Sequence, residues 1–101
     1  MSHCEWHDKS AQLDAVFHVL SSAYRRRILF ELKAGRLRVS EASRRLAAEY
    51  GDDRDRIELA LYTIHLPKLD DLEFIEWHSD SDEIRRGAQF EEVRLVLDGL
   101  N

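Results

Sequence analysis

The spacing of apolar residues predicts a mostly helical chain that ends in a small hairpin. Four apolar residues recur at helical spacing in the first predicted helix, namely Leu13, Val16, Phe17 and Leu20. Ser10 is its expected N-cap. A second helix follows the serine pair at 21–22 and stops at Gly35, and a third is predicted from a Ser40 cap to Gly51.

The fourth predicted helix, whose N-terminus is stabilised by the negative charge of Asp52, Asp53 and Asp55, carries two apolar stripes. One stripe contains Ile57, Leu61 and Ile64, and the other contains Leu59, Tyr62, Leu66 and Leu69. One small core cannot bury both, so one stripe is expected to face DNA or a partner chain. Pro67 lacks a backbone N–H, which predicts a kink or break near residues 63–66.

The C-terminal third predicts a β-hairpin and a last helix. Residues 74–78 and 83–86 suit two strands, and the polar segment 79–82 suits the turn between them. Residues 36–39 could add a short strand to this sheet. The spacing in residues 90–100 mixes periods of two and 3.6 residues and favours a helix over a strand. Residues 1–10 show no periodicity and are expected to form a flexible tail, so residues 11–101 would form one domain.

The fold class that these elements predict is mainly α with a small β-hairpin wing, a winged helix-turn-helix. The sequence has 20 acidic residues against 15 Lys and Arg, a net charge of −5, and only three of the cations are Lys. This balance suggests a salt-adapted proteome, in which DNA affinity cannot depend strongly on counterion release.

The composition narrows the range of functions. No apolar run is long enough to span a membrane, which predicts a cytoplasmic location. The single cysteine, Cys4, excludes an intrachain disulfide. Phosphate-binding loops, nucleophile elbows and HExxH-type motifs are absent from the sequence, so we expect neither an enzyme nor a cofactor.

Two segments resemble the winged helix-turn-helix regulators of the ArsR type. Residues 20–32 are similar to the second-helix signature of that family, with Ala23 in place of the usual Pro. Residues 65–76, beginning His-Leu-Pro-Lys-Leu, are similar to the exit from its recognition helix into the first wing strand. The His-Leu-Pro-Lys-Leu segment, together with the acidic composition, also resembles an uncharacterised winged-helix family of haloarchaea. The resemblance implies a homodimeric, sequence-specific regulator that binds double-stranded DNA with its fourth helix in the major groove. It does not identify a small-molecule or metal effector.

Candidate DNA contacts follow from this arrangement. Base contacts are expected on the fourth helix, from Arg54, Arg56, Tyr62, Thr63 and His65. Phosphate contacts are expected from the second and third helices and, by resemblance, from the tip of the wing: Arg25, Arg26, Arg44, Arg45, Arg85 and Arg86. The consecutive arginines 25–27 cannot share one helix face, so at least one should be structural and pair with a nearby carboxylate.

Two other interpretations remain open. The acidic segment 52–55, the acidic wing and the extra apolar stripe favour a winged-helix protein interaction or dimerisation module that does not bind DNA. His3, Cys4 and His7 are the only cluster that resembles a metal site, although solvated tail residues are the favoured interpretation. Trp77 is expected to pack in the core or at a dimer interface.

Overall fold

The protein has a winged-helix fold, and a computed structural model describes its backbone over residues 2–100 and its side chains over residues 11–100. Three helices and a short strand come first: α1 (Ser2–Leu20), α2 (Ala23–Leu32), β1 (Leu37–Arg38) and α3 (Val39–Tyr50). The next elements are α4 (Arg54–Ala60), a π-helical turn (Leu61–His65), α5 (Leu66–Asp71), β2 (Ile75–His78), β3 (Glu83–Arg86) and α6 (Phe90–Leu100). Among these described residues, no helix is both long and apolar enough to cross a bilayer.

The three strands form the predicted antiparallel sheet in the order β1-β3-β2. Ile84 of the middle strand is paired with Leu37 on one side and Trp77 on the other. Ile84 and Leu37 are buried, so the sheet closes one side of the core. On the outer edge of β2, the backbone N–H of Trp77 donates to a carboxylate oxygen of Asp70 at 3.2 Å.

The N-terminal helix differs from its prediction in start and in orientation. It begins at Ser2, so residues 2–10, expected to form a separate tail, are part of α1, and Ser10 is not its N-cap. The helix buries Val16 and Val19, whereas Leu13 and Phe17 are 50% and 57% exposed. The predicted apolar face was therefore rotated, because the sequence pattern alone cannot show which of two adjacent stripes meets the core.

The third helix also starts earlier than predicted. Arg38, with extended backbone angles, is the N-cap, and it makes no side-chain capping bond. Ser40 therefore lies inside the first turn, because β1 leads directly into α3. Gly51 ends this helix in the left-handed region at φ 71°, as expected. Tyr50, predicted on the buried face, is exposed.

The helices α4 and α5 and the π turn between them are continuous along the chain, and we call them together the composite helix. Pro67 has no N–H to donate to the carbonyl of Thr63, and the helix widens just before it. The Leu66 N–H reaches back five residues to the carbonyl of Leu61. The predicted interruption near residues 63–66 is therefore confirmed, and it takes the form of a π turn.

The π turn changes which residues of the composite helix face the core. The buried positions are Ile57, Leu61, Leu66 and Leu69, with a step of five residues at the turn. They come from both predicted stripes, so neither stripe was correct as a continuous face. Leu59 and Ile64, one from each stripe, are exposed.

Gly87 connects the wing to α6 where no side chain fits. A Cβ atom there would lie 2.4 Å from the Glu73 carbonyl oxygen and 2.7 Å from the Ile75 nitrogen. Gly87→Ala should therefore lower the free energy of unfolding by about 2 kcal/mol or more, because both clashing atoms belong to the backbone. Urea unfolding followed by circular dichroism measures this loss.

Gly99→Ala is the matched control for that substitution. Gly99 lies in α6, and a Cβ atom there would meet nothing within 4 Å. We expect the control to leave stability unchanged or to raise it by up to about 1 kcal/mol, since Ala favours helix. Equal stability of the two variants would contradict the close packing around Gly87.

Candidate nucleic-acid interface

The helix-turn-helix consists of α3, the turn at Gly51 and the composite helix. Asp53 caps α4, because its carboxylate accepts hydrogen bonds from the N–H groups of Asp55 at 2.8 Å and Arg56 at 3.4 Å. The carboxylate of Asp52 accepts a hydrogen bond from the Tyr24 hydroxyl. Two of the acidic residues in segment 52–55 thus have structural roles within the domain.

The exposed cations of the helix-turn-helix differ from the other arginines in having few partners. Within the described part of the chain, the side chains of Arg38, Arg44 and Arg56 make no hydrogen bond or ion pair. Arg54 makes one long contact of 3.5 Å, to the carbonyl of Ser40. Arg44 and Arg54 also line one surface groove of about 170 Å³ with Ser40 and Glu41. These guanidinium groups are therefore available to an external anion.

Arg45, by contrast, is paired within the domain. Its guanidinium lies 2.9 Å from Glu31 and 3.6 Å from Glu41. Glu31 also pairs with Arg27, which reaches Glu49 at 2.8 Å. This network connects α2 with α3, so Arg45 is less accessible to phosphate than Arg44.

Arg25 is buried, with 7% of its surface exposed. Its guanidinium donates to the carbonyls of Val19 at 2.9 Å and His18 at 3.2 Å, at the C-terminal end of α1. The expectation that at least one of the arginines 25–27 is structural and pairs with a nearby carboxylate is confirmed by Arg27, which pairs with Glu31 and Glu49, and Arg25 is structural through backbone carbonyls. Arg26 donates to the carbonyl of Leu20 and is engaged at the same helix end.

His65 faces the interior of the domain rather than its surface. Its Nδ1 lies 3.1 Å from the Arg25 guanidinium, and its ring meets the Tyr24 ring edge-on at 5.8 Å. Since a guanidinium only donates, Nδ1 accepts this hydrogen bond. Burial, and then the charge of Arg25, lowers the pKa of His65, which favours the neutral ring. The sequence expectation of a base contact from His65 is at odds with this position.

Tyr62 connects the composite helix to the wing. Its hydroxyl donates to a carboxylate oxygen of Asp82 at 2.6 Å, and its ring lies 5.7 Å from the ring of Trp77. The hydrogen bond to Asp82, followed by burial, raises the pKa of Tyr62 to about 12. Tyr62 and Trp77 therefore pack against each other, and the hydroxyl predicted to contact a base is already engaged.

The two wing arginines are also held within the domain. Arg85 pairs with Glu83 on its own strand. Arg86, expected near the tip, is paired with Ile75 at the base of the hairpin. It donates to the carbonyls of Leu32 at 2.8 Å and Lys33 at 2.7 Å, where α2 ends. The prediction for Arg86 was wrong because the strand register places it at the opposite end of β3.

Thr63 remains on the surface, with its hydroxyl donating to the carbonyl of Leu59 at 2.8 Å. Sequence reasoning did not name Arg38 as a candidate DNA contact, because Arg38 fell within the short strand predicted at residues 36–39. It placed Leu59 and Ile64 in different apolar stripes and did not predict that both are exposed, with 63% and 54% of their surfaces accessible. The exposure of Ile64 depends on the π turn, and the local signal for that turn is Pro67.

The possible metal ligands cannot be placed. The side chains of His3, Cys4 and His7 lie outside the described residues. Within the described side chains, no group of three His, Cys, Asp or Glu residues could hold a metal ion.

Comparison with protein families gives one match. Residues 17–85 match the family model described as a domain of unknown function, DUF7344. The matched segment runs from within α1 to within β3 and includes the helix-turn-helix and most of the wing. No curated protein and no solved structure matches the chain.

The bond between Tyr62 and Asp82 predicts an alkaline loss of stability. The pKa of Tyr62 is raised above its ordinary value of 10.0 to about 12. The stabilisation from the Tyr62–Asp82 hydrogen bond is therefore complete below pH 10 and is lost as the pH rises through 12. Tyr62→Phe should lower the free energy of unfolding by about 1–2 kcal/mol at neutral pH, and the difference should shrink between pH 10 and 12. Denaturant unfolding across that pH range measures both effects.

Tyr50→Phe provides the comparison for this experiment. Tyr50 is exposed, and among the described residues its hydroxyl has no hydrogen-bond partner. Its removal should therefore change neither the stability at neutral pH nor the alkaline decline. If both variants behaved alike, the Tyr62–Asp82 bond would not stabilise the wing.

Proposed function

The chain belongs to the DUF7344 domain family, and for this member we propose sequence-specific binding to double-stranded DNA as a homodimeric, cytoplasmic transcriptional regulator. The single observation that supports this most is the location of the unpaired arginines. Arg44, Arg54 and Arg56 lie on the helix-turn-helix and Arg38 directly precedes it, in a domain where most other arginines bond internally. The resemblance to ArsR-type regulators supports the same function.

The backbone of this region adds to the attraction for phosphate. The N-terminus of α3 carries partial positive charge, and Arg38 is its N-cap. A DNA phosphate at the groove between Arg44 and Arg54 would also meet Ser40, whose hydroxyl can donate. In the proposed complex, α4 enters the major groove of the DNA and α3 contacts the DNA backbone.

The number of available cations limits the electrostatic part of the affinity. Four per subunit, at about 0.9 log units per contact, give a slope no steeper than about −4 per subunit, or about −7 for the homodimer. Asp55 and Glu58 on α4 reduce it further. The affinity should therefore fall as the salt concentration rises, and contacts that do not involve charge would carry what remains in molar salt.

The homodimer is proposed to form through the terminal helices. Leu13 and Phe17 lie four residues apart on one face of α1, and both are exposed. Leu95 and Leu100 are likewise exposed on α6. Pairing these faces between two subunits would remove apolar surface from water and leave both helix-turn-helix units free for two half-sites.

A protein interaction module remains the second candidate. It is favoured by the exposure of Leu59 and Ile64 on the composite helix beside the carboxylates of Asp55 and Glu58. In that case the same surface would contact another protein rather than DNA.

DNA binding can be tested without knowing the target. Selection from a random-sequence duplex pool supplies a ligand, whose binding is then followed by fluorescence anisotropy from low to molar salt. Arg44→Ala and Arg54→Ala should each weaken binding about five- to tenfold at low salt and make the salt slope shallower by about one unit, because each removes a phosphate contact.

Arg94→Ala is the matched control for charge. Arg94 lies on α6 and pairs with Glu91 and Asp98, away from the helix-turn-helix. This variant should bind DNA like the unmodified protein. Absence of saturable binding at every salt concentration would reject the regulator and favour the protein interaction module.

The dimer interface has its own test. Phe17→Glu should raise the dimer dissociation constant about a hundredfold or more, since an unpaired charge in an apolar interface costs about 3 kcal/mol. Sedimentation equilibrium measures this change. Leu59→Glu, an equally exposed apolar position on the composite helix, should leave the dimer intact. A monomeric unmodified protein, or equal effects of the two variants, would contradict pairing through α1.

A further inference from the structure

The middle of the exposed face of the composite helix carries apolar side chains. Leu59 is 63% exposed, and Thr63, one turn later, is also exposed. Ile64 lies beside them with 54% of its surface exposed. We call these three residues the apolar row. In a sequence of which 35% is charged, hydrocarbon in the centre of a surface helix requires an explanation.

The π turn is what keeps Ile64, the last residue of this row, out of the core. The core positions on either side of it, Leu61 and Leu66, are five residues apart, so Ile64 does not follow Leu61 into the core. The Thr63 hydroxyl donates its proton to the Leu59 carbonyl at 2.8 Å, so it has no second proton to offer a ligand. The row therefore presents hydrocarbon and no free hydrogen-bond donor.

The neighbours of the apolar row indicate its ligand. Arg56, with no partner among the described residues, precedes Leu59 by three positions, and Arg54 lies at the start of the same helix. Asp55, four positions before Leu59, would repel phosphate but can accept a hydrogen bond from the amino group of cytosine. Three side chains supply only part of the roughly 800 Å² per partner that a stable protein–protein interface buries, whereas contact with a base needs only one or two of them.

We propose that Leu59 and Thr63 recognise the C5-methyl groups of thymines in the major groove. This inference rests on the proposed DNA binding and specifies which bases are distinguished. Thymine is the only standard base that offers a methyl group there, and apolar side chains discriminate it by contact. Such contacts do not involve counterion release, so this part of the specificity persists at high salt.

The test replaces single thymines of the selected duplex with uracil, which removes only the methyl group. At one or two positions in each half-site, uracil should weaken binding about three- to fivefold, the effect expected of one buried methyl group. This loss should be as large in molar salt as in low salt. Because the change is in the DNA, protein folding does not affect it.

A double-mutant cycle then assigns the contact to the protein. Leu59→Ala should abolish the preference for thymine over uracil at one position and leave binding to the uracil duplex nearly unchanged. Arg44→Ala should weaken binding to both duplexes equally. Leu95→Ala, at an exposed apolar site on α6 where the subunits are proposed to pair, should weaken binding to both duplexes equally and leave the preference for thymine intact.

The outcomes separate the two levels of the proposal. If the protein binds the selected duplex but uracil has no effect at any position, thymine recognition is wrong and DNA binding stands. The same conclusion follows if Leu59→Ala weakens both duplexes equally. If no duplex is bound at all, both proposals are rejected, and the apolar row belongs to an interface with another protein.

Discussion

The missing amide hydrogen of Pro67 is the constraint on which the working surface of this domain depends. A regular α-helix through residues 54–71 would require a bond from that position to the Thr63 carbonyl. The π turn Leu61–His65 removes this requirement by widening the helix just before the proline. It also rotates the following turns, so that Leu66 and Leu69 reach the core while Ile64 remains outside.

The distribution of arginine bonds follows a similar division between interior and surface. Arg25 and Arg86 donate to backbone carbonyls at the ends of α1 and α2, where helices leave acceptors unsatisfied. Arg45 belongs to a carboxylate network between α2 and α3. Arg44 and Arg56, by contrast, have no such bonds within the described structure. Within the described side chains, the arginines without such bonds lie on the helix-turn-helix or directly before it.

Local patterns in the sequence predicted much of this fold. The stop at Gly51, the polar turn at 79–82 and the strands beside it depend on neighbouring residues, and all are present. The site was less predictable, because His65 and Tyr62 are polar residues on the expected helix whose partners lie far along the chain. Arg25 and Asp82 are separated from them by 40 and 20 positions, respectively. Only three-dimensional packing shows that both side chains are engaged.

The hydrogen bond from the backbone N–H of Trp77 to the Asp70 carboxylate has a consequence for solubility. An outer strand such as β2 leaves backbone donors open to a strand of another molecule, which is a common route to aggregation. The Asp70 carboxylate occupies one of these donors and places a negative charge along the strand edge. Crowded copies of the domain would thus meet an electrostatic barrier at the position where sheets could otherwise fuse.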